Sequence, residues 1–303
     1  MIPDSFTRAT IDREGAGGEA WLSDLPAIVE ELLTRWKCEY DGAVAHGQVG
    51  LIVPVRRADA AAVLKVSFPH PGNAYEPEAF AAWGGRGAVL LYERDDERFA
   101  MLLERAGPSR LADLRDGEEI AEVAGRLSRR LSVPGPVGWP RLQDQADGWE
   151  EQLRAGASEF PEVLPISVVD AALVIVDELA RHQPELVVHG DLHPRNILRS
   201  EREDWLAIDP KGWVGDPAFD GSIYFGSRAR ALMETDDRTS ALRRELEVFA
   251  DAAELDAERV RQWVRLQLAL AAYRGRRRGF GFARGGLMLE RFVEFVDQLA
   301  VSW

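Results

Sequence analysis

The feature that most limits this chain is a change in the spacing of its apolar residues near position 106. Before it, four short runs read as strands: "GLIVPVRR" (50–57), "AAVLKVSF" (61–68), "AVLLYE" (88–93) and "FAMLLER" (99–105). Turn-like "ADA" and "RDDE" divide them, and "AYEPEAFAAW" (74–83) reads as a short helix between the second and third. A helix also precedes the strands. "SDLPAIVEELLTRW" (23–36) sets Leu25, Ile28, Val29, Leu32, Leu33 and Trp36 at helical spacing, with Ser23 as N-cap and Pro26 in the first turn. After "AGPS" (106–109) helical spacing takes over in residues 110–131, 168–182, 241–255 and 258–273. The Pro- and Gly-rich "SVPGPVGWP" (132–140) is a loop between the first two of these. The fold expected is α+β: an N-terminal helix and a small antiparallel sheet lobe with one inserted helix over residues 1–106, then a larger, mainly helical lobe over 107–303.

Composition narrows the function classes. No apolar run approaches the ~20 residues that span a bilayer, and "MIPDSFTRATIDREG" lacks the basic and apolar regions of a secretory signal. The single cysteine, Cys38, excludes an intramolecular disulfide and a thiolate zinc cage within the chain. It fits a reducing compartment, so a cytoplasmic location is expected. A net charge of -14 disfavours a nucleic-acid partner and is compatible with a cationic small molecule. Basic residues are almost all arginine, with lysine only at Lys37, Lys65 and Lys211. Each lysine is therefore a candidate for work that a compact ammonium does and a planar guanidinium does not.

The chemistry concentrates in "LVVHGDLHPRNILRSEREDWLAIDP" (186–210). "NILR" and "WLAID" are strand-like runs on either side of the charged turn "SERED". Paired as a hairpin, they bring Asn196 and Asp209 to one open end, two oxygen ligands suited to Mg²⁺. Asp191, on the loop entering the hairpin, is placed to orient or deprotonate a nucleophile. A zinc-hydrolase reading would use His189, Asp191 and His193, but alternate residues on an extended loop diverge. The histidines read better as supports of the loop backbone.

His189, Asp191, Asn196 and Asp209 follow the H-x-D-x-x-x-x-N…D order of kinase-type phosphoryl transfer. That chemistry also needs a strand ammonium on the phosphates and a helix glutamate to hold it. Lys65 in "AAVLKVSF" supplies the first; Glu76 and Glu78 both stand where the second is needed, Glu76 preferred for sharing the face of Phe80 and Trp83. Gly42, Gly47 and Gly50 offer either a phosphate-covering loop or a plain hairpin turn. At "LLERAGPS" the Glu104 carbonyl and Ala106 N–H stand where a hinge would meet adenine.

"HGDLHPRNIL", "LAIDPKGWVGDPAFD", "AWGGRGAVLL" and "LLERA" resemble the aminoglycoside phosphotransferase-like kinases, and within them the streptomycin 6-phosphotransferase/hydroxyurea phosphotransferase family. The resemblance runs from about Trp21 to the C-terminal helices. It implies a protein-kinase-like two-lobe fold and transfer of the ATP γ-phosphate, with Mg²⁺, to a hydroxyl of a small molecule such as streptomycin. By the same resemblance Asp191 is the catalytic base, Asn196 and Asp209 ligate Mg²⁺, and Lys65 with Glu76 binds ATP. Asp220 would tie the segment after the metal site to the helical lobe, and Lys211 either helps neutralise phosphate or simply faces solvent. One departure is "LSVP", with Ser132 where related sequences often carry His.

No matched motif names the acceptor. Residues 234–258 are rich in carboxylates suited to guanidinium groups, whereas "YRGRRRGFGFARGG" (273–286) is basic and reads as a mobile loop near an anion or a surface turn. Rival readings are a metabolite kinase with no resistance role, a catalytically silent kinase fold used for binding, and a metal hydrolase.

Overall fold

The computed structural model describes residues 2–233, 235–280 and 282–303, so Glu234 of the acidic segment and Gly281 of the basic one lie outside the described residues. The chain forms two compact units. One comprises the residues up to Pro108 together with Arg199–Lys211; the other comprises Ser109–Leu198 and Gly212–Trp303.

The first unit opens with helices α1 (Asp4–Glu14) and α2 (Ala16–Trp36). Strands β1 (Cys38–Tyr40), β2 (Ala45–His46), β3 (Gly50–Arg57) and β4 (Ala60–Ser67) follow, then helix α3 (Glu76–Trp83) and strands β5 (Leu91–Asp95) and β6 (Ala100–Glu104). The sheet is antiparallel in the order β1-β3-β4-β6-β5, with β2 paired to the free stretch of β3. Its register sets Leu51 against Val66, Val53 against Leu64 and Val55 against Ala62. These residues share one face and bury it with Leu25, Val29, Leu32 and Trp36 of α2. Strand alternation then forces Lys65, between Leu64 and Val66, onto the opposite face.

Helix α2 starts seven residues before the expected Ser23 cap. Its buried stripe runs through Gly18, Leu22, Leu25 and Val29, so the apolar face carries the helix back to Ala16 and through Pro26. The run at 88–93 also changes role. Ala88 forms a parallel bridge with Ala207 and Val89 donates to Ala207 O (3.2 Å), so β5 begins only at Leu91.

The second unit contains α4 (Gly117–Leu131), α5 (Ala146–Glu159) and α6 (Ile166–Ile175), whose end widens into a π-type turn at Val176–Ala180. Then come β7 (Leu186–Val188), α7 (Ala218–Ala231), α8 (Arg238–Ala252), α9 (Ala257–Arg278) and α10 (Gly286–Ser302). Strand β10 (Trp213–Gly215) pairs antiparallel with β7; β8 (Ile197–Arg199) ends where the chain returns to the first unit, which holds β9 (Trp205–Ala207). Helix α9 is the axis of the core: Trp263, Leu266, Ala269, Leu270 and Tyr273 are buried among residues of α5, α6, α7, α8 and α10. Asp256 caps it through Glu258 N and Arg259 N at 2.7 and 3.0 Å.

The basic segment 273–286 is therefore not a loop throughout. Residues up to Arg278 are the last turns of α9, where cations suit the helix dipole. Arg276 pairs with Asp297 (2.6 Å) and Arg277 with Glu159 (2.8 Å).

Candidate active site

Residues 199–211 join the sheet unit for a visible reason. Ala207 N donates to Gly87 O at 2.9 Å, and the Arg202 guanidinium binds the Glu104 carboxylate, Gly85 O and Ala88 O at 2.7–2.9 Å. Near the end of this segment stands Asp209, held at φ 63, a left-handed conformation that is rare for a residue with a side chain.

Lys65 Nζ lies 2.5 Å from both Glu76 Oε1 and Asp209 Oδ1. Lys65 and Glu76 are buried, at 7% and 1% exposure, while the Asp209 side chain is 41% exposed. Burial alone would push the ammonium down, but the charges and hydrogen bonds of the two carboxylates hold it above the ordinary lysine value. Burial pushes the Glu76 carboxyl up, against the pull of the Lys65 charge. Glu78, the alternative partner, instead binds Arg94 at 2.6 Å. Lys211 is partly buried, and its charge lowers the Glu76 pKa.

The glycine segment is a hairpin: β2 pairs with β3, and Gly47 N donates to Gly50 O at 2.9 Å. A Cβ at Gly50 would stand 2.8 Å from Ser67 Oγ and 3.4 Å from Lys65 Cε, so glycine lets this turn close over the lysine stem. Helix α1 braces it, Arg13 donating to Gln48 O at 2.8 Å and Ser5 Oγ lying 2.9 Å from His46 Nε2. At the far end of β6, Glu104 N donates to Leu90 O and Gly107 N to Arg199 O. Among the described residues the intervening Ala106 N–H has no hydrogen-bond partner.

In the helical unit, β7 delivers the chain to a tight loop. Gly190 takes φ 77, and Asp220 of α7 accepts His189 N at 2.9 Å and Gly190 N at 2.8 Å. His189 is fully buried, its Nδ1 accepting Asp191 N at 3.2 Å. Asn196 closes the loop by donating from Nδ2 to Asp191 O at 3.1 Å, which turns its carbonyl oxygen the other way. His193 Nε2 stands 3.7 Å from Asp191 Oδ1. Burial pushes the Asp220 carboxyl up to about 7 even though two backbone N–H groups point at it.

Sequence reasoning missed Asp216. Its buried carboxylate accepts Arg259 Nε and Trp263 Nε1, each at 2.7 Å, and Ala218 N at 3.0 Å. It thereby fixes β10 and the start of α7 against α9. The signal was present in "GDPAFD", an Asp-Pro step opening a helix. Asn196 belongs to the helical unit and Asp209 to the sheet unit. Both offer the oxygen donors that Mg²⁺ takes, a carboxylate and a carbonyl already oriented by its amide's other bond. Among the described residues no group of three or more His, Cys, Asp or Glu is placed to hold a metal ion.

The family model described as aminoglycoside/hydroxyurea antibiotic resistance kinase matches residues 35–279. The chain belongs to this family. A streptomycin 6-kinase of Streptomyces griseus is 36% identical over 270 residues, covering 88% of each chain. A hydroxyurea phosphotransferase of Kitasatospora aureofaciens is 34% identical over 269 residues, 86% of this chain and 76% of its own. Among solved structures, the aminoglycoside phosphotransferase APH(3'')-Id of Streptomyces rimosus, in complex with ADP and streptomycin, aligns with a TM-score of 0.51. It is 19% identical, covering 82% of this chain and 98% of that one, and the likeness shows the fold: α+β and protein-kinase-like. No described helix of this family member is long and apolar enough to cross a membrane.

Proposed function

We propose that this kinase transfers the γ-phosphate of ATP to a hydroxyl of a small cationic molecule in the cytoplasm, with streptomycin the first acceptor to test. The observation that carries the reading is the buried Lys65 ammonium held 2.5 Å from Glu76 and Asp209. One of its partners is locked in the core and the other is exposed enough to turn to a cation. The sheet unit would grip the nucleotide: Lys65, anchored by Glu76, on the phosphates, and the Glu104 carbonyl and Ala106 N–H on adenine. Mg²⁺, held by Asn196 and Asp209, would neutralise the phosphate oxygens.

The helical unit would bind the acceptor and act on it. The acceptor oxygen attacks the γ-phosphorus, the bond from that phosphorus to the β–γ bridging oxygen breaks, and ADP leaves. The hydroxyl proton passes to the Asp191 carboxylate, which Asn196 and the loop pinned by Asp220 hold in place. His189 and His193 support that loop. The excess of acidic over basic side chains, 51 to 37, favours a cationic acceptor.

An ATP-consumption screen across streptomycin, hydroxyurea and amino-alcohol metabolites tests the reading, with Asp191→Ala as control. Turnover with streptomycin that falls by roughly a thousandfold or more in the control is the expected result. Equal rates in both proteins would remove Asp191 from the chemistry. Turnover of a neutral metabolite without streptomycin would make the chain a metabolite kinase.

A further inference from the structure

In the turn at residues 47–50 every carbonyl has a partner. Gly47 O is bound by His46 Nδ1 at 2.9 Å, Gln48 O by Arg13 at 2.8 Å, Val49 O by Phe68 N at 2.8 Å and Gly50 O by Gly47 N at 2.9 Å. The N–H groups of Gln48 and Val49, by contrast, donate to no group among the described residues. Two of the four carbonyls are held from helix α1. Arg13 stands in its last turn. His46 reaches the helix through its other nitrogen: Gly47 O can only accept, so Nδ1 donates, and Nε2 lies 2.9 Å from the Ser5 hydroxyl. Phe6, fully buried, packs against that imidazole at 5.3 Å and edge-on to Trp21 at 6.0 Å, which fixes the ring.

The peptide bonds after Gly47 and Gln48 are trans, so in each plane the N–H points opposite to the carbonyl. Phe6 belongs to the cluster that α2 forms with Leu51, Val53 and Val55, whereas Lys65 stands on the other face of the sheet. Carbonyls drawn toward α1 therefore turn the Gln48 and Val49 N–H groups to the side of the lysine, where Gly50 brings the turn against the Lys65 stem. Successive free N–H groups of this kind suit an anion. We propose that Arg13 and His46, the latter held by Ser5, are positioning residues for the nucleotide: they fix the two peptide planes so that Gln48 N–H and Val49 N–H meet the phosphates of ATP. The proposal rests on the phosphotransferase reading. It extends the nucleotide site to a helix outside residues 35–279, the stretch that the family model matches.

The test compares a nucleotide with its nucleoside on the full chain. Arg13→Ala and His46→Phe each free one carbonyl, and His46→Phe keeps a ring against Phe6; Arg13→Lys retains a donor. In calorimetric titrations the affinity for ATP with Mg²⁺ should fall roughly threefold or more in the first two variants and recover in part in Arg13→Lys. Adenosine, which carries no phosphate, should bind all four proteins within about twofold. Equal losses for ATP and adenosine would overturn the proposal, since α1 would then only support the sheet. Unchanged ATP affinity in either variant would remove that residue from the positioning role. If the wild type binds ATP but transfers phosphate to no acceptor, the phosphotransferase reading fails, and the comparison of ATP with adenosine still decides what α1 does.

Discussion

Lys65, Glu76 and Asp220 show what single side chains contribute. Glu76→Gln keeps the shape but removes the charge that anchors Lys65; kcat/KM for ATP should fall by roughly tenfold or more in initial-rate assays, with KM for the acceptor little changed. Asp220 gives a pH prediction. Its folded-state pKa lies near 7 against an ordinary 3.8, so between those values the folded chain holds a proton that the unfolded chain has released. Stability from this group is complete below about pH 4 and is lost as the pH rises toward 7. Melting temperatures measured from pH 4 to 7 should therefore fall less steeply in Asp220→Asn than in the wild type. Lys65 was legible in the sequence because a strand alternates faces and apolar neighbours fix its direction. Asp216 is marked locally only by the Asp-Pro step that opens α7; its role is not legible, because its partners Arg259 and Trp263 lie more than forty positions away.

Among elements, legibility followed the strength of the period. Strands β3, β4 and β6 and helices α4, α8 and α9 could be read from their spacing. Helices α5, α7 and α10 carry no such regular period, since Gly148, Gly156 and Gly226 interrupt two of them and packing in the α9 core supplies what local propensity does not, while α1 depends on Phe6 packing with α2. Two predictions belong to this scale. A Cβ at Gly117 would run into the Glu245 carboxylate, which binds Arg228 at 2.6 and 2.8 Å. At this first position of α4 alanine gains less than the about 1 kcal/mol of a helix interior, whereas breaking a buried ion pair costs about 3 kcal/mol or more, so Gly117→Ala should lose stability in urea unfolding. Arg13→Ala, freeing the Gln48 carbonyl, should loosen the β2–β3 turn and raise KM for ATP severalfold with kcat nearly unchanged, read by steady-state kinetics.

At the scale of the whole chain, the single break expected near residue 106 proved too simple a division. The chain passes between units at residues 108, 198 and 211, and the segment 199–211 completes the sheet unit. A fragment ending at Pro108 should lack a cooperative thermal transition by circular dichroism. The same fragment with residues 199–211 attached through a Gly/Ser linker should recover one, because it regains the Ala207 ladder bonds and the Arg202 clamp.

The Arg202 clamp also bears on how such genes can recombine. One guanidinium reads a carboxylate and two carbonyls that lie about a hundred codons upstream. A single crossover between two relatives inside residues 109–198 would deliver Arg202 from one parent to Glu104 and the Gly85–Ala88 backbone of the other. Hybrids that exchange only residues 109–198 and 212–303 keep the clamp and Asp209 with their native partners. Exchange at the three junctions, after residues 108, 198 and 211, would let the helical unit be inherited from a second parent without disturbing the Arg202 clamp.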